Sequence, residues 1–400
     1  MISGLRIKNF SLLKDFSIGL QVEDLPKLVE LDNAAEQEEI SALHKAKKPP
    51  ALGNLVGLIG ENSSGKSSIF EAIAYIRDIV CHNLSSASSL SNRGGYARLY
   101  SDYAIPGESM ELSLLIKDDE RKYYNYLLCL SSDQHQRPYL LKEELKAWEL
   151  SDGVTAKMIL EQSEGVLSYQ SKDGEEKRIE LIDRRNTSLA LLSRLKEYEE
   201  IHRIYRRIKD IFVYRVGLKQ NRKSREKGGH KHLKEKLDNL ENVLQYREQK
   251  DQKAYFLWLD EILAKIPNLR MSRKNFRLED LNSGELKLFE IFVLMEDDLS
   301  LICLDEPDLN LYYQLADALL VEMRNYSLNN PQSQIFYTTH NYNMLQGLKP
   351  EELWILERSP EGSRARAVSD NPVVQAMYEE GLDMGMLLYG GYLEEPRDES

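Results

Sequence analysis

The sequence predicts an α/β fold of two lobes, with a mixed, largely parallel core sheet, an antiparallel β lobe and a helical, coiled-coil-like insertion. Three observations predict it. A glycine-rich loop, Gly60-Glu61-Asn62-Ser63-Ser64-Gly65-Lys66-Ser67, stands between an apolar run, NLVGLI (54–59), and a helix-periodic run, SSIFEAIAYIRDIV. A second apolar run, LSLICL (299–304), ends in Asp305-Glu306 and leads through the amphipathic LYYQLADALLVEMRNY to a third, SQIFYTT. Strand, helix and strand in that order make parallel neighbours joined by crossover helices. Between the halves lies a charged stretch, 175–265, with no proline before Pro267.

Each element follows from its local pattern. Residues 5–20, LRIKNFSLLKDFSIGL, form two short strands around a turn, because apolar residues alternate at Leu5 and Ile7 and again at Phe16 and Ile18. Residues 23–50 are polar and acidic and end in KKPP, which suits an insertion with some helix closed by a loop. The run 54–59 has the composition of a strand buried on both faces. MELSLLIK (110–117) and KYYNYLLCL (122–130), separated by the turn DDE, are antiparallel strands, and strand-like pieces continue around Trp148 and Val166. The charged stretch is expected to form two helical arms parted by KSREKGGHKH, a basic tip. WILERS and RARAVSD suggest a closing hairpin. The expected division is an N-terminal lobe, 1–174, with its insertion at 23–50; a helical insertion, 175–268; and a C-terminal lobe, 269–400.

The length allows two or three lobes, and 42% hydrophobic residues supply a core. No apolar run reaches the ~18 residues of a bilayer span, and MISGLRIKNF contains no signal-peptide core. No membrane association is expected, and the expected location is cytoplasmic. Cys81, Cys129 and Cys303 lie far apart without a CxxC pair, which disfavours a disulfide framework or zinc site and suits a reducing compartment. The net charge of −12 argues against a protein coated with nucleic acid. The charge is uneven, however: residues 215–236 carry nine Lys or Arg against two Glu, while 23–39 and the tail 394–399 are acidic.

Four motifs carry chemistry. Residues 60–67 satisfy GxxxxGK[ST], in the required context of a preceding strand and a following helix. Glycines let the backbone wrap so that N–H groups point at phosphate oxygens, and the helix beginning near Lys66 adds its N-terminal partial charge. Lys66 is placed to reach β- and γ-phosphates and Ser67 to ligate Mg²⁺, with Ser68 adjoining. Asp305 and Glu306 end a buried strand, where ligands of parallel sheets bind: Asp305 suits the Mg²⁺ shell, and Glu306 the general base that deprotonates a water. Leu281-Asn282-Ser283-Gly284-Glu285 precedes a helix and by itself reads as an N-cap, with Ser283 capping and Glu285 in the first turn. Its order between the other motifs makes Ser283 and Gly284 a second phosphate contact. Thr338-Thr339-His340 follows an apolar strand, where His340 can sense a γ-phosphate by hydrogen bonding.

Together these motifs resemble the ABC-type ATPases: Walker A at 60–67, a signature at 281–285, Walker B at 301–306 and a switch histidine at His340. The opening Leu5-Arg6-Ile7-Lys8-Asn9-Phe10 resembles the start of the RecF, SMC and Rad50 branch. Several segments are similar to the stand-alone AAA-type ATPases related to OLD proteins: MELSLLIKDDERKYYNYLLCL, PDLNLYY after Asp305-Glu306, and the closing Tyr389-Gly390-Gly391-Tyr392 with Pro396. The signature reads LNSGE where transporters usually carry LSGGQ, and Gln134 and Gln136 are the candidates for a Q-loop glutamine.

The resemblance implies an enzyme that binds ATP with Mg²⁺ and hydrolyses it, slowly. It also implies a homodimer, or a higher oligomer of dimers, in which Ser283 and Gly284 of one copy meet the γ-phosphate held by Lys66 of the other. ATPases of this kind occur in the PARIS, Septu and retron-associated systems of anti-phage defence, which implies control of a separate effector, a nuclease or toxin. The alternative is a RecF- or Rad50-like repair ATPase on DNA ends or gaps. Arg215, Lys219, Arg222, Lys223, Arg225, Lys227, Lys231, Lys234 and Lys236 could grip a DNA or RNA phosphate backbone, dock an acidic protein, or form only a solvated loop between helices, and without interleaved aromatics any nucleic-acid contact would be sequence-independent.

Overall fold

A computed structural model describes residues 1–36, 48–90, 93–105, 107–119, 121–151, 153–171, 175–215, 231–234, 237–269, 276–359 and 362–393. Among them, eight strands form one antiparallel sheet: β1 (Ile2–Phe10), β2 (Leu13–Gly19), β4 (Met110–Lys117), β5 (Lys122–Ser132), β6 (Pro138–Leu150), β7 (Val154–Ser163), β8 (Val166–Gln170) and β9 (Glu176–Glu180). Their order is β2-β1-β4-β5-β6-β7-β8-β9. A second sheet holds β3 (Leu55–Gly60), β10 (Ile211–Arg215), β11 (Leu301–Asp305), β12 (Gln334–Thr338), β13 (Leu353–Ser359) and β14 (Gly362–Ala367), in the order β10-β11-β12-β3-β13-β14. All neighbours in it are parallel except the β13–β14 hairpin. The mixed α/β fold expected from the sequence is the fold observed.

Both faces of the second sheet are covered, which explains its continuous apolar strands. Leu301 and Cys303 face one core cluster while Ile302 and Leu304 face the other, and Phe336 and Ile335 divide in the same way. The first cluster is centred on the helix Lys66–Cys81, packed between the two sheets. That helix buries Ile69, Phe70, Ile73, Tyr75, Ile76 and Ile79, residues spread around its whole circumference, as a helix sandwiched between two layers must. The second cluster lies across the parallel sheet, beneath the helices Ser283–Met295 and Tyr313–Asn329. Gln334 pins the two sheets together at one end. Its amide oxygen accepts from the Ile2 N–H at 2.6 Å, and its Nε2 donates to the carbonyls of Ile2 and Gly53 at 2.9 and 2.8 Å.

The charged stretch departs from the two helical arms expected. Glu176–Glu180 extends the antiparallel sheet, and Ile211–Arg215 pairs in parallel with β11 as the edge of the core sheet. The run IFVYR is aromatic and β-branched and buries side chains on both faces, which outweighs the helical character of its flanks. Four helices do occur among the described residues, Ser188–Leu192 and Glu199–Lys209 before β10 and Leu240–Lys250 and Gln252–Ala264 after it, but they pack onto the core, through Ile201, Ile204 and Ile208 in one cluster and Val243, Leu244, Leu259 and Ile262 in the other. Of the expected basic patch, Lys219, Arg222, Lys223, Arg225, Lys227 and Lys236 lie outside the described residues, as does the Arg215 side chain. In the early insertion, the expected helix is Leu25–Glu36; residues 37–47 are outside the described set, as is Pro396.

Candidate functional site

The loop between β3 and the helix Lys66–Cys81 is shaped by its glycines. At Gly65, with φ +102°, an added Cβ would lie 2.9 Å from Ser363 Oγ and 3.0 Å from Leu13 Cδ2. At Gly60, with φ +150°, it would lie 2.2 Å from the Leu356 carbonyl oxygen. Ser63 also takes a left-handed backbone, φ 64°, and alternation of this kind turns successive N–H groups toward one concavity. Lys66 Nζ donates to the carbonyls of Gly60 and Glu61 at 2.8 and 2.9 Å, closing the loop over itself. Ser64 Oγ is fully buried in this loop and has no hydrogen-bond partner. Glu61, Asn62, Ser63 and Ser67 are exposed, and Ser68 Oγ lies 3.5 Å from Ser11 Oγ of the β1–β2 turn.

Because β12 lies between β3 and β11, the C-terminal ends of all three strands open on one edge. That edge brings together Lys66, Asp305, Glu306 and His340. Burial pushes the Lys66 ammonium below its ordinary range, while the nearby Glu306 and Asp305 carboxylates act in the opposite direction. Thr338, fully buried at the end of β12, donates its hydroxyl to Asp305 Oδ1 at 2.7 Å and accepts from the Glu306 N–H at 2.8 Å. Glu306 itself has φ 47°, a conformation a non-glycine residue rarely takes. His340 Nε2 lies 3.7 Å from Glu306 Oε1, and both side chains are more than a third exposed. A cavity of about 430 Å³ borders Gly60, Glu61, Thr339 and His340 on the side of β13.

The family model described as "AAA domain, putative AbiEii toxin, Type IV TA system" matches residues 55–345, the span from β3 to the segment after His340. The chain belongs to this AAA-domain family. No curated protein matches the chain. Among solved structures, it is similar to an SMC head bound to the C-winged helix domain of ScpA, at 14% identity over 91% of this chain and 96% of that one, with a TM-score of 0.47. It is also similar to the SMC head domain from Thermotoga maritima, at 13% identity over 92% and 98% of the two chains, with a TM-score of 0.40.

In this AAA-domain protein, among the described residues, no hydrogen bond or ion pair joins the signature-like segment 281–285 to the glycine-rich loop 60–68. Asn282, not Ser283, caps the helix. Its Oδ1 accepts from the N–H groups of Gly284 and Glu285 at 3.0 and 2.9 Å, while Glu285 Oε2 accepts from the Asn282 N–H at 2.9 Å. This reciprocal capping box satisfies three donors and leaves Ser283 exposed as the first helical residue. Gln134 and Gln136 occupy the exposed turn between β5 and β6, where Asp133 accepts from nearby backbone N–H groups.

Two further charged residues shape this edge: Lys287, which gave no signal in sequence, and Asp308, inside the PDLNLYY segment. Lys287, almost fully buried, donates to the carbonyls of Leu309 at 2.9 Å and Glu306 at 3.4 Å. Burial lowers its ammonium to about 8, against the attraction of Asp308, Glu290 and Glu306. Asp308 is pushed up by burial, with the Thr339 hydroxyl, Lys287 and His340 opposing. A lysine five residues after a capping residue looks like any helical surface position, and only the tertiary packing turns this one inward.

Proposed function

We propose that this protein binds ATP with Mg²⁺ at the edge formed by β3, β11 and β12, and hydrolyses it as a slow switch. The supporting observation is the convergence of Lys66, Asp305, Glu306 and His340 on one strand edge. The buried Ser64 hydroxyl without a partner and the glycine-lined concavity fit a bound polyphosphate. The oxygen donors Ser67 and Asp305 fit a magnesium ion shared with phosphates, since Mg²⁺ takes one or two carboxylates and completes its shell elsewhere. The metal supplies charge neutralisation. The backbone of 60–67 and Lys66 hold the β- and γ-phosphates. Glu306 orients the attacking water and accepts its proton, and His340, beside Glu306, bonds the terminal phosphate.

Ser283 is exposed at the N-terminus of its helix, and a second copy completes the site by placing that helix N-terminus against the phosphate. ATP then joins two subunits and hydrolysis separates them. The output is control of a separate effector protein, as in anti-phage systems of the OLD-related kind. The family's description, a component of a toxin–antitoxin system, supports a role beside another gene product.

Light scattering tests the assembly. With a non-hydrolysable ATP analogue and Mg²⁺, the mass should double relative to the ADP sample, and Ser283→Arg should stay at the mass of one chain. A single mass in every nucleotide state, at concentrations where the analogue is bound, would contradict the proposal.

A further inference from the structure

Two contacts join the helix Ser283–Met295 to the segment that follows β11. Lys287, one turn in from Ser283, bonds the carbonyl oxygens of Leu309 and Glu306. Gly284 packs on the same segment and the helix after it: a Cβ there would lie 2.9 Å from Leu315 Cδ1 and 3.4 Å from Leu311 Cδ2. Asp308 lies in the fields of Lys287 and His340, and on the other side the Glu306 N–H donates to the Thr338 hydroxyl at 2.8 Å. The segment 306–311 is thus held between the signature-like helix and the end of β12.

Lys287 is a poor choice for stability alone. Its burial disfavours the charged form by more than the surrounding carboxylates favour it. A buried residue that works against the fold is a candidate for function. Its bonds also go to main-chain carbonyls, including that of Glu306, so a shift of the helix moves the backbone carrying the carboxylate. The left-handed backbone of Glu306, φ 47°, makes that position sensitive to such a shift.

We infer that Lys287 is a positioning residue, a latch that couples the helix N-terminus at Ser283 and Gly284 to the backbone of Glu306. When a second subunit's phosphate docks on that N-terminus, Lys287 transmits the movement and sets the Glu306 carboxylate for water. This deepens the ATPase proposal and rests on it for the docking step. The latch itself exists without nucleotide.

The test uses Lys287→Met and Lys287→Arg in the full chain, with two readouts. The first is backbone hydrogen exchange across 306–311 in nucleotide-free protein. Exchange should quicken at least ~10-fold in Lys287→Met and return toward wild type in Lys287→Arg, as expected when a local hydrogen-bonded closure is lost. The second is steady-state phosphate release: kcat should fall ~10-fold or more in Lys287→Met at a nearly unchanged KM, with recovery in Lys287→Arg. Exchange and kcat both at wild-type values in Lys287→Met would overturn the inference. So would parallel loss of melting temperature, ATP affinity and kcat in both variants, which marks a purely structural residue. If the wild type releases no phosphate while the exchange arm behaves as stated, the latch stands and the ATPase proposal fails.

Discussion

Thr338→Val isolates the support beneath Asp305 and Glu306. Valine keeps the shape of the fully buried threonine and removes only the hydroxyl. Two bonds go with it, the 2.7 Å donation to Asp305 and the 2.8 Å acceptance from the Glu306 N–H. A hydrogen bond to a charged acceptor contributes about 1.5–3 kcal/mol, and leaving a buried N–H unsatisfied costs about 1–3 kcal/mol. The Glu306 N–H belongs to a residue held at φ 47°, and that conformation costs of order 1–3 kcal/mol, offset only while its surroundings enforce it. Relaxation recovers part of these terms, so the expected loss of unfolding free energy is about 3 kcal/mol, with Thr338→Ser within about 1 kcal/mol of wild type. Urea unfolding measures the stability, and phosphate release should fall together with it because Glu306 is no longer held. A Thr338→Val protein within about 0.5 kcal/mol of wild type, with unchanged turnover, would refute the idea that this hydroxyl organises the carboxylates.

Other perturbations separate roles that sequence merged. Asn282→Ala should cost about 1 kcal/mol of stability through loss of the cap, whereas Ser283→Ala should change it by less than about 0.5 kcal/mol; melting both variants checks the assignment. Lys287 is lowered to about 8 in the folded chain. Above that pH the unfolded chain binds more protons than the folded one, so this group makes stability rise with pH until the unfolded lysine also deprotonates. Between about pH 7.5 and about pH 9.5, wild type should gain about 2 kcal/mol relative to Lys287→Met in parallel urea titrations, and equal slopes would contradict the burial of a charged lysine.

What the sequence disclosed was governed by local pattern. The glycine-rich loop was legible because glycine, lysine and serine stand at fixed spacing between a strand and a helix, and all three features are local. The strand ending in Asp305-Glu306 was legible for the same reason: a run of apolar residues meets two carboxylates abruptly. Ile211–Arg215 was not legible, because five residues of strand pattern sit inside charged, helix-like flanks and gain their partner only across the chain, beside β11. The capping role fell to Asn282 rather than Ser283 because both residue types cap, and the backbone conformation, not the sequence, selects between them. Lys287 and Thr338 owe their roles to partners 19–22 and 32–33 residues away. No periodicity encodes such contacts.

The central claim is that Glu306 is the base acting on ATP held by Lys66. Steady-state phosphate release by wild type and Glu306→Gln, with ATP binding measured on the same samples, tests it most directly. Binding should be retained, while turnover falls about 10²-fold or more, the range a lost general base commands. Equal turnover by the two proteins at equal ATP occupancy would contradict it.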